Sequence, residues 1–321
     1  MKKKILILSG GYSKEREISL LTSKAVEKEL KKSKKYKTIV YEPKGNFVND
    51  LRRLKPDIVF NALHGRYGED GYVQSILESE KIKYTHSGVK ASSIAIDKEL
   101  SKKLFVKNRI LTPKYFKFIF SESKLDKNLV KKISNKLGFP VVVKPFNEGS
   151  SVGVYICNKN NILKILKKLN EHKEVMFEKY IPGREIQVAV MNNKALGAIE
   201  LRPKRKFYDY KAKYKKSSKT EHIMPASLSN KKYKEVLKIS EKVNKILGCR
   251  GITRCDFRFY KGTFFILELN TQPGMTDLSL VPEIAKFVKI PFVKLVEWMI
   301  KDASLNRWKK TFFYGFFYLF S

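Results

Sequence analysis

The chain has 321 residues, 43% of them hydrophobic, with 67 Lys and Arg against 31 Asp and Glu for a formal charge of +36. That length predicts two or three lobes sharing a cleft rather than one compact domain, and no segment reaches the roughly 20 apolar residues of a membrane span. The charge does not single out nucleic acid: the lysines are spread through nearly every expected helix and loop, so specific nucleic-acid binding is not expected, although a basic surface attracts anions such as nucleotides and carboxylates.

The opening MKKKILILSGGYS has the outline of a signal peptide, but its apolar run is only ILIL and a Gly-Gly turn follows at once. Residues 4–10 therefore read as a buried first strand ending in Gly10-Gly11. EREISLLTSKAVEKELKK places Ile18, Leu21, Ala25 and Leu30 near helical spacing, with Ser13 as the expected N-cap. TIVYEP reads as a second strand and PDIVFNAL (56–63) as a third. Strand, helix, strand implies a parallel sheet with ligands at the carboxyl ends of its strands. Gly10-Gly11 and the loop HGRYGEDG (64–71) fall on that one rim.

A new unit begins near Asp97-Lys98, where a helical segment leads to the turn at Thr112-Pro113 and then to KYFKFIF. A polar helix ending in LGFP follows, then VVVKPFNEGSSVGVYIC, a lysine-rich helix, and VMFEKYIPGREIQVAVM with a turn at Pro182-Gly183. AIELRP, a polar loop, a helix from about 230 to 247 and two last strands, TRCDFRF and ILELN, complete the pattern. Without regular βαβ alternation this half is expected to be α+β, with antiparallel sheets facing a cleft. Cys157, Cys249 and Cys255 have no CxxC spacing, which fits a reducing cytoplasm and argues against a disulfide framework or a zinc site.

Three stretches carry chemistry. Residues i and i+2 of a strand share a face, so Glu268 and Asn270 point one way, as do Arg254 and Asp256, while Cys255 turns to the core. If the strands pair across the turn YKGT (260–263), two acids and an amide converge into an oxygen donor set suited to Mg²⁺. A salt bridge from Arg254 to the acids explains the spacing equally well. In VVVKPFNEGSSVG, Lys144 ends a strand and Gly149 and Gly153 loosen the loop behind it, so backbone amides could reach phosphate oxygens. No P-loop or GxGxxG motif is present, yet beside a carboxylate cluster this loop points to a nucleoside triphosphate. In EKYIPGREIQV, the backbone beside Pro-Gly could bind an adenine edge and Glu185 the ribose hydroxyls, unless it is a hinge strand with solvated charges. No Ser-His-Asp or Cys-His set suggests a covalent nucleophile.

GGYSKEREISL, ALHGRYGEDG, DKELSK, VVVKPFNEGSSVG, YDYKAKY, GITRCDF and LELNTQPGMTDLSLVP follow one another between Lys4 and about Leu305. Together they resemble the D-alanine–D-alanine ligases of the ATP-grasp superfamily. The resemblance implies three lobes: a Rossmann-like, substrate-binding parallel sheet over 1–96 and two α+β lobes, 97–181 and 182–306, enclosing ATP. It implies that Asp256, Glu268 and Asn270 hold two Mg²⁺ ions, with Mn²⁺ also accepted. Lys98, Lys144 and Lys213 would contact phosphate, and the loop 147–153, with Glu148, Gly149, Ser150, Ser151 and Val152, would close over it. Glu178, Lys179, Tyr180 and Ile181 would take adenine and Glu185 the ribose. Glu15, networked with Ser150 and Tyr214, would hold the ammonium of the first D-alanine, with His64 near its carboxylate. Arg254 and the Gly274 backbone would stabilise the oxyanion, and Ser279 and Leu280 would receive the second D-alanine's carboxylate.

The implied reaction activates one carboxylate as an acyl phosphate and lets the amine of the second amino acid displace phosphate, giving D-alanyl-D-alanine for peptidoglycan in the cytoplasm. Tyr214 favours a dipeptide over the depsipeptide of related ligases. The alternatives are another ATP-grasp carboxylate–amine ligase, a D-Ala-D-lactate type ligase, or, more distantly, a basic binding protein without turnover. A homodimer is expected from the resemblance alone. The chain departs from the family in its basic aromatic tail, 307–321, whose run 311–320 is too short to span a bilayer. Flanked by Arg307, Lys309 and Lys310, that run suits either weak contact with an anionic membrane surface or packing on the body.

Overall fold

Strand β1 (Lys3–Leu8) has the sequence KKILIL, and its last four residues are fully buried, as a first strand requires. Gly10 and Gly11 follow with φ of +71° and +87°, and a Cβ on Gly10 would collide with the Glu42 carboxylate, so glycine is needed for both backbone and space. Helix α1 (Arg16–Lys31) departs from expectation in two ways. Its N-cap is Glu15 rather than Ser13, whose hydroxyl instead donates to the His64 carbonyl at 2.6 Å and accepts from the Glu15 amide at 3.0 Å. Its buried face is Ile18, Ser19, Thr22, Ser23, Val26 and Leu30, while Leu21 is 53% exposed. The small polar residues lie inward because they have partners there: Ser19 donates to the Ala62 carbonyl at 2.8 Å, and the Ser23 and Ser9 hydroxyls meet at 2.6 Å.

The computed structural model describes residues 2–122, 124–146, 153–203, 220–276 and 279–305. Strand β2 (Tyr36–Tyr41), α2 (Phe47–Leu54), β3 (Ile58–Asn61), α3 (Tyr72–Ser79) and β4 (Lys83–Tyr84) complete a parallel sheet of order β2-β1-β3-β4. The chain order reverses between β1 and β3, so their carboxyl ends flank the crevice where such sheets bind ligands. Helices α4 (Val89–Ile96) and α5 (Lys98–Lys107) follow, and Asp97 caps α5 by accepting from the Glu99 and Leu100 amides.

Strand β5 (Tyr115–Ile119), α6 (Lys127–Leu137), β6 (Val141–Pro145), β7 (Tyr155–Cys157), α7 (Ile162–Lys168) and β8 (Glu174–Lys179) build an antiparallel sheet of order β5-β8-β6-β7. Its core joins Phe118, Val141, Val143 and Phe177 to Leu129 and Ile133 of α6 and Ile162 and Leu166 of α7. The turn at Pro182-Gly183 then carries the chain out of this sheet into another, so β8 and β9 (Arg184–Met191) do not pair. Strand β10 (Lys194–Arg202), β11 (Glu221–Ile223), α8 (Asn230–Ile246), β12 (Ile252–Tyr260), β13 (Thr263–Asn270), α9 (Leu280–Phe287) and α10 (Phe292–Asp302) follow. The third sheet is antiparallel, of order β11-β10-β9-β12-β13.

One face of this five-stranded sheet packs Val188, Cys255 and Phe257 against Val236 and Val243 of α8 and Phe105 of α5. On the other face, Ala189, Ile199 and Ile252 share a core with α9 and α10 that runs on to Val26 of α1 and Ile5 and Ile7 of β1. The last helix thus returns to the first sheet, and Ser304 bridges Tyr84 by backbone hydrogen bonding. All three cysteines are free and buried. Among the described residues no helix is long and apolar enough to cross a membrane. Glu148, Gly149, Ser150, Ser151, Val152, Lys213, Tyr214 and the 307–321 tail lie outside the described residues.

Candidate active site

The hairpin β12–β13 closes through Lys261-Gly262, both with positive φ (+46° and +74°), a two-residue turn whose twist matches the strands. A β-bulge between Asp256 and Phe257 then shifts the register by one residue, setting Asp256 opposite Glu268 and Arg254 opposite Asn270, so all four side chains occupy one face. Arg254 grips Asp256 with both prongs, Nε to Oδ1 at 2.7 Å and a terminal nitrogen to Oδ2 at 2.8 Å. The convergence and the salt bridge read from the sequence therefore coexist. Among the described residues no three His, Cys, Asp or Glu side chains form a ligand cluster. What the hairpin offers is two carboxylates and an amide, all hard oxygen donors, a set that fits a cation completing its shell with phosphate and water.

Lys98 opens α5, 6% exposed, and donates to the Phe146 carbonyl at 3.3 Å. Burial holds its ammonium below the usual lysine range, opposed by Glu268, and Lys144 lowers it further. Lys144 lies 2.7 Å from Glu178 Oε2, and the same oxygen lies 3.0 Å from Lys102 Nζ. Burial alone would raise Glu178, but the two ammonium groups outweigh it and hold the carboxyl below its ordinary range. Nearby, Arg258 Nε donates to the Ile181 carbonyl at 3.1 Å, its guanidinium lies 6.0 Å from the Tyr180 ring, and a terminal nitrogen lies 3.4 Å from Glu185. The Lys179 amide is held by the Lys114 carbonyl at 2.8 Å.

Across the cleft, Glu15 is buried, and a Cβ on Gly65 would come within 2.9 Å of its Oε1. Glu69 accepts from the Gly65 amide at 2.9 Å, yet burial and then the charge of Glu15 push its carboxyl up to about 8. Crowded carboxyls disfavour a second charge, and an ammonium beside this pair would relieve that repulsion. The cleft in front of Glu15 and Gly65 reaches Asp97, Pro145 and Phe146 and holds about 1180 Å³.

His64 is buried with Nε2 3.1 Å from the Thr22 hydroxyl. Burial and then the Arg254 charge push it down to about 4, against a hydrogen bond with the Gln272 backbone, so the ring is neutral at pH 7. An unfolded histidine titrates near 6.5, so the unfolded chain takes up the proton first as pH falls. The neutral ring's contribution is complete above about pH 6.5 and is lost as pH falls towards 4. His64→Gln is expected to flatten that acid limb by roughly 2–3 kcal/mol, read from urea melts at pH 7 and pH 4.5.

Gln272 joins the two sides of the site. It accepts from Asn61 Nδ2 at 3.0 Å, donates to the Leu63 carbonyl, and its amide donates to Asn270 Oδ1 at 2.8 Å. Gly274 sits against Ser279, since a Cβ there would lie 2.9 Å from the Ser279 hydroxyl. That hydroxyl accepts from the Thr276 amide at 2.9 Å, so it does not cap α9, and the first amides of the helix at Leu280 face an anion-favouring end.

The family model for the D-ala D-ala ligase C-terminus matches residues 104–301. The D-alanine–D-alanine ligase of Pelagibacter ubique (strain HTCC1062) is 62% identical over 307 residues, covering 96% of this chain and 100% of its own. The chain belongs to the D-alanine–D-alanine ligase family. That of Wolbachia pipientis wMel is 46% identical over 94% of this chain and 95% of its own length. Among solved structures, the Bacillus anthracis D-alanine–D-alanine ligase complexed with ATP aligns with a TM-score of 0.80 at 33% identity, over 94% of this chain and 97% of that one. The VanG D-Ala:D-Ser ligase from Enterococcus faecalis aligns at 0.79 and 26% identity, over 94% and 99%. The one parallel and two antiparallel sheets are thus the ATP-grasp arrangement of this ligase family.

Within that family frame, the structure brings together Glu15, His64, Lys98, Lys144, Arg254, Asp256, Glu268 and Asn270, with Glu178, Ile181 and Glu185 along one flank and Gly274, Ser279 and Leu280 at α9. Reading by residues alone passed over Glu69, Lys102 and Gln272. Glu69 stood in the block ALHGRYGEDG, Lys102 at the end of DKELSK and Gln272 in LELNTQPGMTDLSLVP, so position in a block was the available signal; none has a spacing of its own that marks it.

Proposed function

We propose that the chain joins two D-alanine molecules into D-alanyl-D-alanine with cleavage of ATP, in the cytoplasm, for peptidoglycan precursors. The observation that carries the reading is the register of Asp256 against Glu268 on a face that also meets Lys98, within a chain 62% identical to a D-alanine–D-alanine ligase. ATP as the nucleotide is supported by the ATP complex of the Bacillus anthracis relative. Asp256, Glu268 and Asn270 would hold two Mg²⁺ ions, Mn²⁺ also serving, whose chemistry is to neutralise phosphate charge during transfer.

The chain's own residues do the rest. Lys98, Lys144 and Lys213 bind and align the phosphates, with the loop 147–153 closing over them. Glu15 holds the first D-alanine's ammonium, in a network with Ser150 and Tyr214, while neutral His64 packs beside its carboxylate. That carboxylate attacks the terminal phosphorus, ADP departs, and an acyl phosphate remains. Ser279 and Leu280 hold the second carboxylate at the start of α9 so that its amine faces the acyl carbon. Attack yields a tetrahedral oxyanion stabilised by Arg254 and the Gly274 amide, and its collapse forms the peptide bond and releases phosphate.

Division into 1–96, 97–181, 182–306 and 307–321, a homodimer, and weak contact of the tail with an anionic membrane surface belong to this reading. Co-sedimentation with anionic vesicles, against a chain ending at Leu305, measures the last of these. The central test incubates purified full-length protein with ATP, Mg²⁺ and D-alanine and follows phosphate and dipeptide. D-alanine-dependent phosphate release with dipeptide is expected, and its absence would sink the reading. A larger phosphate signal on adding D-serine or D-lactate, with the mixed product formed, would replace the second substrate.

A further inference from the structure

We infer that Lys102 is a positioning residue of the nucleotide site, neutralising Glu178 from behind so that the Lys144 ammonium stays available to the nucleotide. The inference rests on reading Lys144 as a nucleotide contact. Lys102 lies four residues after Lys98 on α5, hence on the same helix face. Its side chain is fully buried, Nζ lies 3.0 Å from Glu178 Oε2, and it donates to the Thr112 hydroxyl at 2.6 Å. Thr112 in turn donates to the Ile266 carbonyl at 2.8 Å, two residues before Glu268. The three charged side chains therefore sit in order of exposure, Lys102 at 0%, Glu178 at 3% and Lys144 at 8%.

Charge balance explains the arrangement. Two ammonium groups share one carboxylate oxygen, so the group carries one net positive charge, and a buried excess charge is costly unless an anion completes it. If Lys102 were an apolar side chain of similar length, Glu178 would be left with Lys144 in a closed pair with no net charge, and a phosphate would have to break that pair. A lysine serving only to fill space is hard to justify, because a methionine fills the same volume without a desolvation penalty. Burial pushes Lys102 down to about 8, opposed by Glu178, with Lys144 lowering it further. The other groups facing it are Glu268 of β13 and Tyr115 of β5, whose ring centre lies 5.5 Å from Nζ. Loss of the Lys102 proton would therefore close the same neutral pair.

Steady-state kinetics of the full chain with ATP, Mg²⁺ and D-alanine test this. Lys102→Met is expected to raise the KM for ATP about tenfold or more, with the KM for D-alanine changed less than about twofold. The ATP KM of the wild type is expected to climb between pH 7.5 and 9, a climb that Lys102→Met abolishes. An unchanged ATP KM in Lys102→Met, while Lys144→Met raises it, overturns the inference and leaves the parent reading intact. No effect of Lys144→Met overturns the parent reading. Should Lys102→Met fail to fold, Lys102→Arg, which keeps the charge, is compared with Lys102→Gln, which removes it, and equal ATP KM values in the two overturn the inference alone.

Discussion

Glu268→Gln is expected to lose turnover by about 10³-fold or more while melting close to the wild type. The two halves of that result have different causes. Gln keeps the size and hydrogen-bonding reach of Glu, so the strand, its turn and its packing are unaffected. What disappears is one negative charge on a face where Asp256 lies directly opposite and where Glu268 also raises the Glu69 carboxyl. Within the fold Glu268 repels its neighbouring acids but also compensates the buried Lys98 ammonium, so its removal trades a repulsion for a lost attraction and shifts stability little. In the working site the same charge balances cation and phosphate, and a neutral amide does that poorly. A thermal melt and a phosphate-release assay on one preparation separate the two effects. Near-wild-type turnover would show that the metal assignment is wrong, and a large drop in melting temperature would show that the lost attraction outweighs the repulsion.

Part of that site was legible in the sequence because a strand's period is two, which puts Arg254 with Asp256 and Glu268 with Asn270 on one face of each strand. The turn alone would not have joined the two pairs: a regular ladder from Tyr260 opposite Thr263 sets Asp256 against Leu267, and a β-bulge between Asp256 and Phe257 shifts it onto Glu268. The centre of the parallel first sheet was legible too, since β1 and β3 are apolar runs that lead into Gly10-Gly11 and His64-Gly65. The inward face of α1 was not. Thr22 and Ser19 look like surface residues until their partners, His64 and the Ala62 carbonyl, arrive some 40 residues later in the chain, and only then does Leu21 turn out to solvent. The break after β8 was equally hidden, because Pro-Gly marks a turn without saying whether the next strand returns to the same sheet. Lys102 and Gln272 act through partners far away in sequence. In a chain with 67 Lys and Arg residues, composition could not mark out one buried lysine.

Arg254→Lys is expected to lower kcat by about 10²–10³-fold at saturating Mg²⁺, and the Mg²⁺ dependence decides what Arg254 is for. The spacing of Arg254 and Asp256 admitted a salt bridge and the family resemblance adds an oxyanion role; the bidentate pair at 2.7 and 2.8 Å is the salt bridge. Lysine keeps the charge and loses the planar fork. If neutralising Asp256 were the whole role, the defect would appear as a changed Mg²⁺ requirement, and excess cation would restore kcat, because a bound cation balances Asp256 by itself. If Arg254 also meets the tetrahedral intermediate, excess Mg²⁺ leaves kcat low, since a donor aligned on the developing charge has been lost. The position of Arg254 supports the second outcome: its charge bears on His64, beside the first amino acid, while its fork reaches Asp256. On the proposed roles of His64 and Asp256 it would stand between the carboxylate to be activated and the phosphate that activates it. Full recovery of kcat with added Mg²⁺ would confine Arg254 to the salt bridge and leave the Gly274 amide as the remaining oxyanion donor.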